Sequence, residues 1–331
     1  MSSKPQYEKI EVLNPYVPFG EYRQGLQTAI YYLARHISNK EMDSLIFDKL
    51  QLINPHAQEE SYIQAAAELT VCTYFAWRFP ESFIYEKQLN PPKNVECTFE
   101  IEGISINVEV KCADYSKQHA IKSSSDFQMS AIGRLNDYDE IYESLSSIFS
   151  SSSTPAILKR TQHMDNKLKD YLHSAHGKFS PFPNDKELNV LIVCCESAFD
   201  MQQWFGYLYA NRGLFTDSSF VSPASYDNVD LVMLTNLYHR HYRPHEKEKI
   251  KMHWALDRAF NFLCPNPKSG KPSRNFEVFS CEMPHLTNQV RSHLDTMQRD
   301  APASIKEALL FSDFVGRQLE RGEYYFNHLS K

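Results

Sequence analysis

Val95-Glu96-Cys97-Thr98-Phe99-Glu100-Ile101-Glu102-Gly103-Ile104-Ser105-Ile106-Asn107-Val108-Glu109-Val110-Lys111 is the stretch whose reading decides the fold of this chain. Apolar and polar residues alternate through both halves, which is the period of a half-buried strand. Glu102-Gly103 between them suits a two-residue hairpin loop, because glycine tolerates positive φ. That loop sets Ile101 against Ile104 and Phe99 against Ile106 on one face. On the other face Thr98 meets Asn107, Glu96 lies opposite Glu109, and Lys111 follows Glu109 two residues later.

Opposed side chains in an antiparallel pair have Cβ atoms only about 5 Å apart, where like charges destabilise. Two carboxylates at that spacing with a lysine alongside point to a divalent cation. Mg²⁺ or Mn²⁺ takes carboxylate oxygens and leaves positions for water and phosphate. Lys111 would then position the attacking water or offset charge developing on a phosphate.

Glu96, the hairpin and Glu109-Val110-Lys111 together resemble the PD-(D/E)xK nuclease superfamily, the restriction-endonuclease-like fold. Glu96 stands where the family usually carries Asp, and Val95 where Pro often precedes it. The resemblance is carried by motif over residues 54–112 and by element order to about residue 195. Many members carry a glutamate on the helix before the hairpin, and Glu68 in Ala65-Ala66-Ala67-Glu68-Leu69-Thr70-Val71-Cys72 matches that position. Its helical neighbours Gln64, Ala65, Val71 and Cys72 are small or apolar, so its carboxylate would be buried and need a partner. The resemblance implies an α/β fold with an αβββαβ core, a mixed central sheet flanked by helices and a helical C-terminal extension. It implies a Mg²⁺- or Mn²⁺-dependent endonuclease with Glu68, Glu96, Glu109 and Lys111 as its catalytic set, the three glutamates being the metal ligands. DNA is the expected substrate ahead of RNA. Homodimerisation, a partner protein and a role in prokaryotic anti-phage defence or restriction are further implications of the family.

The rest of the chain is consistent with such a protein. Its 331 residues include 21 Phe and 19 Tyr, ample material for a large core. No run approaches the roughly 18 apolar residues of a membrane span, and the N-terminus is polar, so a cytoplasmic location is expected. Seven cysteines without a CxxC pair, Cys97 and Cys112 among them on the apolar side of the hairpin, suit reduced thiols. A net charge of −6 argues against a uniformly basic nucleic-acid binder but leaves room for one charged cleft.

Three divisions are expected: an N-terminal helical segment over 1–53, a nuclease-like core over 54–240, and a mostly helical extension over 241–331. Helices are predicted over 21–38, from Asn54-Pro55 or Ser61 to Pro80, near 135–149, from Thr154-Pro155 onward, over 199–210, and near 252–263, 285–298 and 303–325. Strands are predicted at 82–85, 188–195 and 229–234 besides the hairpin.

Several other clusters compete for function. Lys159, His163 and Lys167, with Arg160 beside them, form a basic stripe if one helix carries them. Lys268, Lys271 and Arg274 lie on a Pro/Gly loop. Lys159, Arg160, Lys167, Lys268, Lys271 and Arg274 are therefore candidate phosphate contacts. His239, His241 and His245, with His253 beyond, allow a zinc hydrolase as an alternative. A nuclease fold that binds or scaffolds without turnover is the other alternative.

Overall fold

The computed structural model describes residues 10–129, 134, 137–151, 156–160, 164–182, 184–247 and 250–285. The hairpin forms in the register that the alternation requires. β2 (Cys97–Ile101) and β3 (Ile104–Cys112) pair antiparallel, with Ile101 against Ile104, Phe99 against Ile106 and Thr98 against Asn107. Glu102 and Gly103 turn the chain at φ 50° and 76°, the two successive positive values of a tight primed turn. β1 (Ile84–Tyr85) adds to the outer edge of β2.

β3 then serves as the hinge between two kinds of pairing. It runs parallel to β6 (Glu187–Cys194), and β6 runs parallel to β7 (Leu231–Thr235). β8 (Asn261–Pro265) closes the far edge antiparallel, giving one mixed six-stranded sheet in the order β1-β2-β3-β6-β7-β8. β6 and β7 are buried throughout their central residues, as near-continuous apolar strands covered on both faces should be. The α/β class with a mixed sheet flanked by helices therefore stands as expected. One apolar core runs from Val17 through the sheet to Phe279 and Met283.

The hairpin, expected to be half-buried, is covered on both sides. Thr98, Asn107 and Glu109 on its polar face are as buried as the apolar face. The buried polar groups are satisfied sideways across the sheet. Thr98 Oγ1 donates to Asn107 Oδ1 at 3.1 Å, and Asn107 Nδ2 donates to Asn189 Oδ1 at 2.8 Å.

Among the helices, α1 (Glu21–Leu33) lies against α3 (Glu59–Arg78), the 20-residue helix that precedes the hairpin. Between them, α2 (Asn39–Asp43) has a full capping box, with Ser38 accepting from Glu41 N and Glu41 returning to Ser38 N. It leads directly into a six-residue π-helical segment, Ser44–Lys49. α3 begins at neither predicted start. Asn54 instead folds its side chain onto His56 N in a local turn, and the helix starts with Glu59 and Glu60, whose charges suit its N-terminus. Ala65, Ala66 and Ala67 keep α3 slim, and its Phe75 and the following Phe79 stack their rings on Phe99 at 4.2 and 4.8 Å.

Two predicted helices are corrected. The helix expected from Thr154-Pro155 starts only at Asp165 as α6 (Asp165–His176). Before it, β5 (Leu158–Arg160) pairs with β4 (Phe127–Met129) in a small parallel ribbon beside α5 (Tyr138–Ser151), where Phe127 stacks on Phe149. The basic stripe on one helix is thereby broken, since Lys159 is on a strand and Lys167 on α6; His163 lies outside the described residues. The helix expected near 252–263 is the Leu256–Arg258 turn followed by β8, because Phe262, Leu263 and Cys264 complete the sheet edge. The helices expected at 285–298 and 303–325 fall on residues 286–331, outside the described ones. α4 (Ser116–Ser123), α7 (Ala198–Tyr209), the short α8 (Leu237–His241) and α9 (Ser273–Glu282) complete the described helices. Among the described residues no helix is long and apolar enough to cross a membrane.

Candidate active site

Glu109 is 0 % exposed, at the C-terminal half of β3. Its Oε1 lies 2.7 Å from Lys111 Nζ and 2.6 Å from Lys178 Nζ. Both contacts are ion pairs outside hydrogen-bond alignment, and Oε2 has no hydrogen-bond partner among the described residues. A carboxylate so desolvated depends on those two ammoniums, because an uncompensated buried charge is costly. Burial works against the Lys111 charge, but Glu109, with Glu96 and Glu68 behind it, outweighs burial and raises the lysine pKa.

Glu96 sits one residue beyond the regular ladder, which ends at Cys97 against Val108. Its backbone N–H donates to Val108 O at 2.9 Å, so the chain is still held to β3 and the carboxylate stays beside Glu109. Lys178 Nζ lies 3.9 Å from Glu96 Oε1 as well as touching Glu109, so one ammonium spans both acids. Burial, then the charge of Glu68, push the Glu96 carboxyl well above the ordinary range against the pull of Lys49. Two buried acids that repel each other behave this way when no stronger cation holds both ionised.

Glu68 projects from α3 towards the same place. Gln64, one turn earlier, donates Nε2 to Glu68 Oε1 at 2.6 Å and to Val110 O at 3.1 Å. Its Oε1 accepts from Cys112 N at 2.7 Å. Gln64 thus clamps α3 to the end of β3 and fixes the Glu68 rotamer. Lys49, the last residue of the π-helical segment, reaches Glu68 Oε2 at 3.1 Å, Glu86 Oε1 at 2.6 Å and Glu96 Oε2 at 3.7 Å. π-helical turns are rare and concentrate at functional sites. Burial opposes the Lys49 charge too, and Glu68 and Glu96 overcome it, raising its pKa. Glu86 holds φ at 46°, the left-handed region, and takes Asn94 Nδ2 on its other oxygen at 3.2 Å. Such strain at a non-glycine residue persists where surrounding contacts over-determine it.

The structure therefore brings Glu68, Glu96, Glu109 and Lys111 together. It adds Lys49, Lys178, Gln64 and Glu86, which no sequence motif singles out. Gln64 is within reach of such a reading, as the residue one turn before Glu68; Lys49 and Lys178 come from segments with no motif. The donor set is all oxygen and anionic, and Glu109 Oε2 is free, which suits a hard divalent cation. No three His, Cys, Asp or Glu side chains among the described residues form a ready-made metal-binding group.

The other candidates go elsewhere. Arg274 Nη2 pairs with Glu102 at 3.3 Å at the hairpin turn, about 20 Å along β3 from Glu109. Lys271 Nζ donates to Asn184 O at 2.8 Å, and Lys268 pairs with Asp217. All three belong to the opposite end of the sheet, so they cannot contact a phosphate held at Glu109. Arg160 pairs with Asp139, and Lys159 donates to Ser124 Oγ at 2.8 Å, both on the small ribbon. Lys167 is on α6 beside Tyr171, whose hydroxyl donates to Cys112 O at 2.7 Å, so it borders the acidic site.

The histidines form an internal network in place of a zinc site. Thr70 Oγ1 gives its proton to Ala66 O at 2.8 Å, so it accepts from His241 Nε2 at 2.9 Å. His241 Nδ1 then accepts from Tyr22 OH at 2.9 Å. With both nitrogens engaged, His241 cannot ligate a metal, and burial holds its pKa well below the usual range. His239 Nδ1 donates to Glu196 O at 2.8 Å and His253 Nδ1 to Arg240 O at 2.6 Å, while His245 is exposed. No protein-family model, curated protein or solved structure matches this chain.

Proposed function

We propose that this protein is a metal-dependent phosphodiester hydrolase of the restriction-endonuclease-like kind, acting on DNA in preference to RNA. The observation that carries the reading is the meeting of Glu96 and Glu109 at the end of the β2–β3 hairpin, with the Lys111 ammonium 2.7 Å from Glu109 and neither Glu109 oxygen hydrogen-bonded among the described residues. The αβββαβ reading of the core draws on α3, β1, β2 and β3, followed after α4, β4, α5 and β5 by α6 and β6, and on the mixed sheet.

Glu96, Glu109 and Glu68 would hold Mg²⁺ or Mn²⁺. A bound dication would supply Lewis acidity to the phosphate and a water of lowered pKa. Lys111 would orient the attacking water and offset charge on the phosphoryl oxygens. Gln64 keeps Glu68 and the end of β3 in a fixed relation, so the carboxylates need little reorganisation. Burial of Glu109 strengthens every charge interaction at this point.

A nuclease fold that binds without turnover is the second reading. The observation favouring it is that all three carboxylates are already ion-paired with Lys49, Lys111 or Lys178. Incubation of purified protein with plasmid, linear and single-stranded DNA, with and without Mg²⁺, separates the two. Mg²⁺-dependent cleavage by wild type that Glu109→Ala and Lys111→Ala lose supports the enzyme; no cleavage by wild type removes it. A role in defence or restriction, a homodimer and a partner protein belong to the family analogy and rest on no residue contact.

A further inference from the structure

Lys178 stands where two candidate metal ligands meet. Its Nζ is 2.6 Å from Glu109 Oε1 and 3.9 Å from Glu96 Oε1. A dication bound by the same two carboxylates would sit about 2.0–2.6 Å from their oxygens, which brings it against that ammonium. Two positive centres so close, in a place where Glu109 is fully buried, repel strongly. They cannot share the seat.

We propose that Lys178 is the built-in competitor for the divalent cation: it neutralises Glu109 and Glu96 while no metal is bound, and leaves the seat when the metal enters. The proposal rests on the metal-site reading above and deepens it.

Three further observations support an exchange over a permanent salt bridge. Lys178 follows the end of α6, whose C-cap is Gly177, so its side chain springs from a turn and not from a strand locked in the sheet. Its side chain is 19 % exposed, which leaves a way out to solvent, whereas Glu109 has none. The neighbouring Phe179 is fully buried, so the backbone stays anchored while the lysine side chain moves. Neither Glu109 oxygen has a hydrogen-bond partner among the described residues, and the two ammoniums meet Oε1, which leaves the Oε2 side for a further cation. Lys49 differs from Lys178 here. Its shortest contact, 2.6 Å, is to Glu86, outside the ligand set, so it stays when the metal enters. Lys111 contacts Glu109 alone, whereas Lys178 spans Glu109 and Glu96, so Lys178 is the ammonium that occupies the place between the two acids.

The exchange gives the protein a threshold for metal. The acidic nest folds at low Mg²⁺ without an uncompensated buried charge, and apparent affinity for the ion is lowered by the work of expelling the lysine.

Two measurements test this on the full-length protein. The first is lysine acetylation of wild type by acetic anhydride, read peptide by peptide by mass spectrometry with and without Mg²⁺. Labelling of Lys178 is expected to rise several-fold with Mg²⁺ while Lys49 does not change. The second is Mn²⁺ binding followed by electron paramagnetic resonance for wild type, Lys178→Met, Lys178→Arg and Glu109→Gln. Lys178→Met is expected to bind at least about tenfold more tightly than wild type, Lys178→Arg to stay near wild type, and Glu109→Gln to lose the site. If wild type binds Mn²⁺ in a Glu109-dependent way, yet Lys178 labelling is constant and Lys178→Met binds no tighter, the exchange is wrong and the metal site survives. If neither wild type nor Lys178→Met binds Mn²⁺ at Glu109, the metal site is wrong and the exchange goes with it. Should Lys178→Met not fold, the labelling of wild type alone decides.

Discussion

Lys178 Nζ meets Glu109 Oε1 at 2.6 Å, joining the turn after α6 to the C-terminal half of β3. The contact is opposite in kind to what the hairpin alone suggests, an acidic pair in want of a cation. The protein supplies cations from its own chain: Lys178 and Lys111 to Glu109, Lys49 to Glu68 and Glu96. A buried acid can be kept ionised by an ammonium, by a metal or by both in turn, and these cases respond differently to Mg²⁺ and to mutation.

Mg²⁺ should stabilise wild type and not Glu109→Gln. At a concentration of 100 times Kd the ligand contributes about 2.7 kcal/mol, which in a protein of this size is about 4 °C in Tm. Differential scanning fluorimetry across a Mg²⁺ series provides the check; equal shifts in both proteins would remove the site.

If the proposed function holds, Lys111→Ala should lower the rate of DNA cleavage by about 10²–10³ while Mg²⁺ binding persists, since the lysine would act on water and phosphate and not as a ligand. Single-turnover kinetics beside Mn²⁺ titration distinguish this from loss of metal. A loss of metal affinity with unchanged turnover of the loaded protein would place Lys111 among the structural groups.

Alanine at Lys268, Lys271 and Arg274 together should leave DNA affinity and its salt dependence unchanged. These side chains are spent on Asp217, Asn184 and Glu102 at the far end of the sheet. Each phosphate that a protein ceases to neutralise reduces the slope of log K against log salt by about 0.9. Fluorescence anisotropy at several salt concentrations measures that slope, and a shallower one in the triple variant would return these residues to the DNA surface.

Acid should destabilise the fold through its buried histidines. His253 has its pKa pushed down to about 4 by burial, and burial also holds His241 well below the usual histidine range. A depressed folded pKa gives stability that is present above the unfolded value, near 6.5, and lost as pH falls through the folded value. Each such histidine removes about 1.4 kcal/mol per pH unit in that window. Asp200 and Asp230 act with the other sign: burial raises both to about 6, so their contribution is present at low pH and lost as pH rises through 6. The clean readout is the difference between wild type and His253→Gln in urea unfolding at pH 7.5 and 5. The gap should shrink at pH 5; a constant gap would show that His253 does not titrate as its burial requires.

Arg240→Met should cost about 3 kcal/mol or more. The buried guanidinium donates to Arg258 O at 2.8 Å, Lys251 O at 3.0 Å and Met252 O at 2.8 Å, and their loss leaves buried carbonyls unsatisfied. Urea midpoints will measure it, and a change below about 1 kcal/mol would mean that water replaces the guanidinium there.

The hairpin was legible because its information is local. Alternation fixes which side chains share a face, and Glu102-Gly103 fixes the register, so the placing of Glu96 near Glu109 followed without any distant contact. The strand of β6 was legible for the same reason, as an unbroken apolar run. Glu68 was legible because three alanines and a helical period leave it little to face but the sheet. Local pattern failed where a segment is stabilised by what lies beside it. Phe262-Leu263-Cys264 became a strand because β7 offers an open edge. Leu158–Arg160 became a strand because β4 does.

The sequence by itself determined the hairpin, its register and the collection of acids at one end of it. Tertiary structure alone decided that the polar face of the hairpin is buried, that Gln64 locks α3 to β3, and that Lys49 and Lys178 answer the acidic charge. Periodicity acts over a few residues and is written in them. The compensation of a buried charge is set by whichever distant segment the fold brings within about 4 Å.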